Sequence, residues 1–141
     1  DVVIATKSAY FMEAFSRIGL IPDAGGTYFL PRLVGPAKAM GAALFAEKIT
    51  AEEADRMGLI WEHIEDEAFE THWRARAAHL AQGPTEAYRR TKKALRASLG
   101  NSLEEQLNLE AREQGRAGKS RDFKEGVLAF LEKRPANYEG R

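Results

Sequence analysis

An acid, Asp23, stands between Pro22 and the pair Gly25-Gly26 in the run Gly-Leu-Ile-Pro-Asp-Ala-Gly-Gly-Thr from Gly19 to Thr27. Proline fixes φ just ahead of the acid, and glycines without a β-carbon let a ligand or another backbone come close. An apolar pattern at helical spacing follows at once, so the carboxylate belongs to a turn on or just before a helix N-terminus. Two roles suit that place. Aspartate is a preferred N-cap, and a fixed carboxylate can also take up and return protons. The amides of Gly25-Gly26 at a helix start would favour an anion or a carbonyl oxygen nearby. Glu13 and Phe15 lie two residues apart upstream, and in an extended segment both point the same way. Glu13 reads either as a second carboxylate or as a surface glutamate.

Other chemistry-bearing types are less pointed. Arg89, Arg90, Lys92, Lys93 and Arg96 make one segment strongly basic, which suits either an anion site or a solvated helix face. Glu104, Glu105, Glu110 and Glu113 on the next segment favour mutual neutralisation over an anion site. The pairs Tyr10-Phe11 and Tyr28-Phe29, with Trp61 and Trp73, read as core or as an apolar ligand pocket, core being the commoner use. His63, His72 and His79 lack two-histidine metal spacing, so no metal site is expected. The chain has no cysteine, which rules out a disulfide framework and a thiolate site.

The elements that must hold these residues follow from pattern. Val2–Thr6 reads as a strand buried on both faces, Ala9–Met12 as a second short strand, and residues 13–18 as irregular. A helix is expected over 24–33, short or kinked at Pro31, and another from Pro36 through Ala46. Thr50-Ala51-Glu52-Glu53 is a capping box opening a short helix that ends near Gly58, and Leu59–Ile64 reads as a strand. Beyond Asp66 helices dominate, over 67–82, 85–99, from Ser102, and from Ser120 to Pro135. Their inward stripes are predicted as Phe69, Trp73, Ala77 and Leu80; Tyr88, Thr91, Leu95 and Leu99; Leu103, Leu107 and Ala111; and Phe123, Val127, Phe130 and Leu131. With 141 residues the chain is one domain's worth, and 21 basic against 21 acidic residues give no bias toward nucleic acid or a membrane surface. It opens without methionine on a strand-like run, so further sequence is expected upstream.

Taken together, these blocks resemble the enoyl-CoA hydratase/isomerase (crotonase) superfamily. Ile21-Pro22-Asp23-Ala24-Gly25-Gly26-Thr27 is similar to its I-P-x-A-G-G-T signature, continued by Leu30-Pro31-Arg32-Leu33-Val34-Gly35. Ile49-Thr50-Ala51-Glu52-Glu53-Ala54 through Gly58-Leu59-Ile60 resembles a second block, and Glu125-Gly126 with Ala129–Arg134 resembles the family tail. The resemblance implies an α/β fold: the end of a crotonase-like ββα spiral core over residues 1–64, then a helical oligomerisation region over 65–141. Ordinary hydratases of the family carry two glutamates; the first falls upstream of residue 1, and the second's place is held here by Phe15. Isomerising members often carry an aspartate at the place of Asp23. The run Phe15–Asp23 and Gly58-Leu59-Ile60-Trp61 look most like ring-1,2-epoxyphenylacetyl-CoA isomerases of phenylacetate breakdown.

The resemblance therefore implies an acyl-CoA isomerase with Asp23 as acid/base and Phe15 and Gly25 beside the substrate. Phe130 and Lys133 are implied at the nucleotide end of coenzyme A, their alternatives being core packing and a surface charge. The coenzyme is expected only as part of the acyl-CoA substrate, with no separate cofactor. A homotrimer or hexamer in the cytoplasm is implied, as is an N-terminal half supplying the oxyanion amides, without which the chain should be inactive. Hydration, with Glu13 or an upstream acid standing in, is the alternative chemistry. A non-catalytic assembly module is the alternative of another class.

Overall fold

A computed structural model describes all of residues 1–141, which divide into two compact units, Asp1–Arg74 and Ala75–Arg141. In the first, β1 (Ile4–Thr6) pairs in parallel with β4 (Glu62–Ile64), and β2 (Tyr10–Phe11) pairs antiparallel with β3 (Ile49–Thr50). The register sets Ala5 opposite His63 and Phe11 opposite Ile49. Three helices accompany them: α1 (Gly26–Val34), α2 (Pro36–Phe45) and α3 (Ala51–Arg56). Thr50 caps α3 reciprocally: its Oγ1 accepts from the Glu53 amide at 3.2 Å, and the Glu53 carboxylate accepts from the Thr50 amide at 3.1 Å. That box delivers Ala51 and Ala54 into a core with Ala5 and Ile60, covered by Ala9, Phe11, Ile49 and Leu59.

The strand expectations need correcting. β1 is not buried on both faces: only Ala5 is buried, and Val2 and Val3 are exposed, because the strand has a single neighbour. Residues 59–61 are not strand. The Leu59 and Ile60 amides return to the Ala54 carbonyl at 2.8 and 3.3 Å as the chain leaves α3, so β4 begins only at Glu62. Trp61, expected in a core, is 64% exposed.

A short 3₁₀ turn, Asp66–Ala68, leads into α4 (Phe69–Ala81), along which the division between the units falls. The second unit holds α5 (Thr85–Ser98), α6 (Leu103–Ala117) and α7 (Arg121–Glu132). Ser102 makes a second capping box with Glu105, and Ser120 Oγ accepts from the Phe123 amide at 3.0 Å. The caps stand as expected; the inward stripes hold only at Phe69, Trp73 and Tyr88, which are half-buried. Leu80, Leu95, Leu99, Leu103, Leu107, Phe123, Val127, Phe130 and Leu131 are exposed. On α5 and α6 the packed side is charged and small instead, and the buried residues of α6 are Leu109 and Glu113. Glu113, 5% exposed, accepts from Arg90 at 2.7 Å, Lys93 at 2.6 Å and Arg116 at 3.1 Å. Lys93 first, then Arg90, hold its carboxyl at about 2, well below its ordinary 4.5. The basic face of α5 is thus partly spent: Arg90 and Lys93 on Glu113, Arg89 on Glu86 at 2.8 Å. No helix is long and apolar enough to cross a membrane.

Candidate active site

The approach to Asp23 begins at a 3₁₀ turn, Ala14–Ile18, that carries Phe15. Two of its side chains tie it to the end of α2: Arg17 Nη2 donates to the Ala46 carbonyl at 2.6 Å and Ser16 Oγ to the Leu44 carbonyl at 3.3 Å. A cation on the last carbonyls of a helix also complements its dipole. Phe15, half-buried, is thereby fixed, and the Leu20 amide returns to its carbonyl at 3.0 Å. The chain then runs through exposed Leu20 and Ile21 to Pro22 and Asp23.

At Asp23 the backbone turns sharply. The Gly26 amide donates to the Asp23 carbonyl at 2.8 Å, across Ala24 at φ 49° and Gly25 at φ 85°. Two successive left-handed residues within a four-residue turn match the type I′ pattern. Glycine adopts that conformation freely; alanine does so at a cost of about 1–2 kcal/mol. Strain of this kind beside a carboxylate is a feature of functional turns. Gly25 also needs its missing side chain for space: a β-carbon there would lie 2.9 Å from Phe29 Cε2. The Phe29 ring meets Tyr28 edge to face at 5.2 Å, and the Arg32 guanidinium lies 3.6 Å from the Tyr28 ring centroid. Both aromatic rings are exposed rather than core, and they stand on the first turns of α1 next to the acid.

The cap role for Asp23 is overturned. Gly25 is the N-cap of α1, and no side chain caps this helix. The left-handed pair carries the chain round so that Asp23 falls two positions short, leaving its carboxylate uncommitted to the helix. Its side chain is exposed in these 141 residues. Glu13 is closer to the turn than the sequence could tell. Its Oε2 lies 3.8 Å from where a β-carbon on Gly26 would sit, and Pro22 Cβ lies 3.2 Å from the same point.

Asp23, Gly25 and Phe15 therefore share the first unit, whereas Phe130 and Lys133 belong to the second. Phe130 is 82% exposed, which removes core packing as its role. Lys133 caps α7 in a left-handed conformation, φ 54°. Sequence reasoning missed Asp122, a buried acid of the second unit; its place in the first turn of α7, two residues after the Ser120 cap, was the only signal available.

Against known proteins, the family model for enoyl-CoA hydratase/isomerase matches residues 1–141. A protein of Rhodobacter capsulatus named probable enoyl-CoA hydratase is 67% identical over 141 residues, 100% of this chain and 55% of that protein. The 1,2-epoxyphenylacetyl-CoA isomerase of Escherichia coli is 45% identical over 141 residues, 100% of this chain and 54% of that protein. A crystal structure of an enoyl-CoA hydratase/isomerase from Cupriavidus metallidurans matches with a TM-score of 0.92 at 37% identity, covering 99% of this chain and 53% of that one. The chain thus spans about half the length of the relatives it matches.

Proposed function

This chain belongs to the enoyl-CoA hydratase/isomerase family, and on that footing we propose that it carries the acid/base of an acyl-CoA isomerase, Asp23. The observation that carries the reading is the strained turn. Ala24 and Gly25 hold the Asp23 carboxylate off the helix cap it would otherwise make, while Phe15 occupies the place where a hydratase's second glutamate would stand.

The chemistry follows from the thioester. Its carbonyl acidifies the neighbouring carbon, and a carboxylate can remove that proton as the electron pair moves onto the thioester oxygen. Amides aimed at this oxygen stabilise the enolate. The family resemblance puts them upstream of residue 1. Asp23 then returns the same proton to another carbon, so the double bond moves and no atom is gained or lost. One carboxylate suffices. Phe130 and Lys133 contact the nucleotide end of coenzyme A, which enters as part of the substrate without a separate cofactor. Assembly into a trimer or hexamer in the cytoplasm is part of this proposal, and the exposed stripes of α5 to α7 support an assembly role.

Hydration is the second reading, favoured by the name of the Rhodobacter capsulatus relative. The test is to offer the natural-length protein both crotonyl-CoA and 1,2-epoxyphenylacetyl-CoA. Faster isomerisation of the epoxide supports the proposal; faster addition of water to crotonyl-CoA overturns it.

A further inference from the structure

Asp122 is 3% exposed, and its carboxylate is spent on the backbone of residues 139–140. Oδ1 accepts from the Glu139 amide at 2.8 Å and Oδ2 from the Gly140 amide at 2.9 Å. The Asp122 amide in turn donates to the Arg141 carbonyl at 3.0 Å. One helical turn on, Glu125 takes a two-pronged pair from Arg134 at 2.7 and 3.0 Å and accepts from the Asn137 amide at 2.8 Å. Tyr138 lies on α7 between these holds, its hydroxyl 3.3 Å from where a β-carbon on Gly126 would sit. Positions 122, 125 and 126 share one helix face, and all three hold the tail. Residues 134–140 are latched along their length.

The latch bears on the turn just before it. Lys133 ends α7 in a left-handed conformation, its amide returning to the Phe130 carbonyl at 3.3 Å. Arg134, the next residue, is held by Glu125 and by Glu132 at 2.6 Å, and its amide returns to the Ala129 carbonyl at 3.0 Å. Phe130, Leu131 and Tyr138 border a cavity of about 630 Å³ that Phe123, Gly126 and Val127 also line. The fixed tail therefore braces the Lys133 turn through Arg134 and forms one wall beside Phe130.

We infer that Asp122 and Glu125 are positioning residues: by latching residues 134–141 onto α7 they hold the Phe130–Lys133 turn where coenzyme A meets it. This rests on the reading that Phe130 and Lys133 contact the nucleotide end. Neither acid touches substrate.

The test compares an acyl-CoA with the matching N-acetylcysteamine thioester, which lacks the nucleotide, in the natural-length protein. Asp122→Asn, Glu125→Gln and a truncation after Arg134 are made separately, and hydrogen exchange at the Glu139 and Gly140 amides reports whether the latch has opened in the two point variants. With the latch lost, KM for the acyl-CoA rises about tenfold while kcat holds, as expected when a contact shared by ground and transition states is removed. Kinetics on the short thioester stay unchanged. Faster amide exchange with an unaltered acyl-CoA KM overturns the inference, and so does a truncated protein with an unaltered KM. Phe130→Ala and Lys133→Ala separate the two layers. If they alter the preference for acyl-CoA and the latch variants do not, only the latch role falls. If they leave that preference unaltered, the nucleotide contact falls, and the latch inference with it.

Discussion

Replacing Gly25 with alanine probes the turn that positions the acid. At φ 85° the alanine backbone costs about 1–2 kcal/mol. Its β-carbon, 2.9 Å from Phe29 Cε2, forces the ring aside. Because Phe29 is 58% exposed it can swing, but it then gives up its edge-to-face contact with Tyr28, a pair worth about 0.5–1.5 kcal/mol. The smaller entropy of alanine in the unfolded chain offsets about 0.4–1 kcal/mol. A net loss of roughly 0.5–3 kcal/mol remains, and each kcal/mol lowers Tm by about 4–8 °C in a cooperative unit of this size. Gly19→Ala is the internal control, since φ there is 74° but nothing lies within 4 Å of the added carbon. Urea unfolding followed by circular dichroism should rank Gly25→Ala below Gly19→Ala, and Phe29→Ala should abolish the difference between them in a double-mutant cycle. Equal midpoints for the two alanine variants would refute the close approach of Phe29. A Gly25→Ala protein as stable as wild type would refute the left-handed turn itself.

Two further outcomes follow from the geometry. Glu113 and Glu125 are both held at about 2 against an ordinary 4.5, the first by Lys93 and then Arg90, the second by Arg134 and then the Asn137 amide. A depressed carboxyl stabilises the fold above its unfolded value and loses that contribution as pH falls, so urea midpoints should drop between about 4.5 and about 2. Glu113→Gln should flatten that drop, and an identical pH profile in the variant would count against the network. Residues 1–141 expressed alone should show no turnover of an acyl-CoA, because the oxyanion amides of the proposed reaction lie outside them. Turnover by the purified 141-residue chain would place those amides within it.

Local features were the readable ones. The caps at Thr50, Ser102 and Ser120 were legible because the donor, the acceptor and the three-residue spacing all lie within one short segment. The turn at Asp23 was half legible. Proline and paired glycines announced it, but only the φ of Ala24 showed that the acid stops two positions short of the cap. What failed was the step from periodicity to burial. An apolar stripe shows which side of a helix shuns water without showing whether a partner covers it. Leu95, Leu99, Leu103 and Phe130 stand exposed, while Glu113 and Asp122 lie buried. The pairing of Glu113 with the basic segment was read from the sequence, though not its burial. Asp122 was illegible because its partners, the amides of Glu139 and Gly140, are distant in sequence.

The central claim is that Asp23 moves the proton, and the measurement that reaches it most directly is the turnover number of Asp23→Asn in the natural-length protein. Asparagine keeps the shape of the side chain and, since Asp23 does not cap α1, should leave the melting temperature close to wild type. Removing a positioned acid/base predicts a fall in kcat of about 10²–10⁴-fold on an isomerisable acyl-CoA. A folded Asp23→Asn enzyme turning over near the wild-type rate would contradict the account.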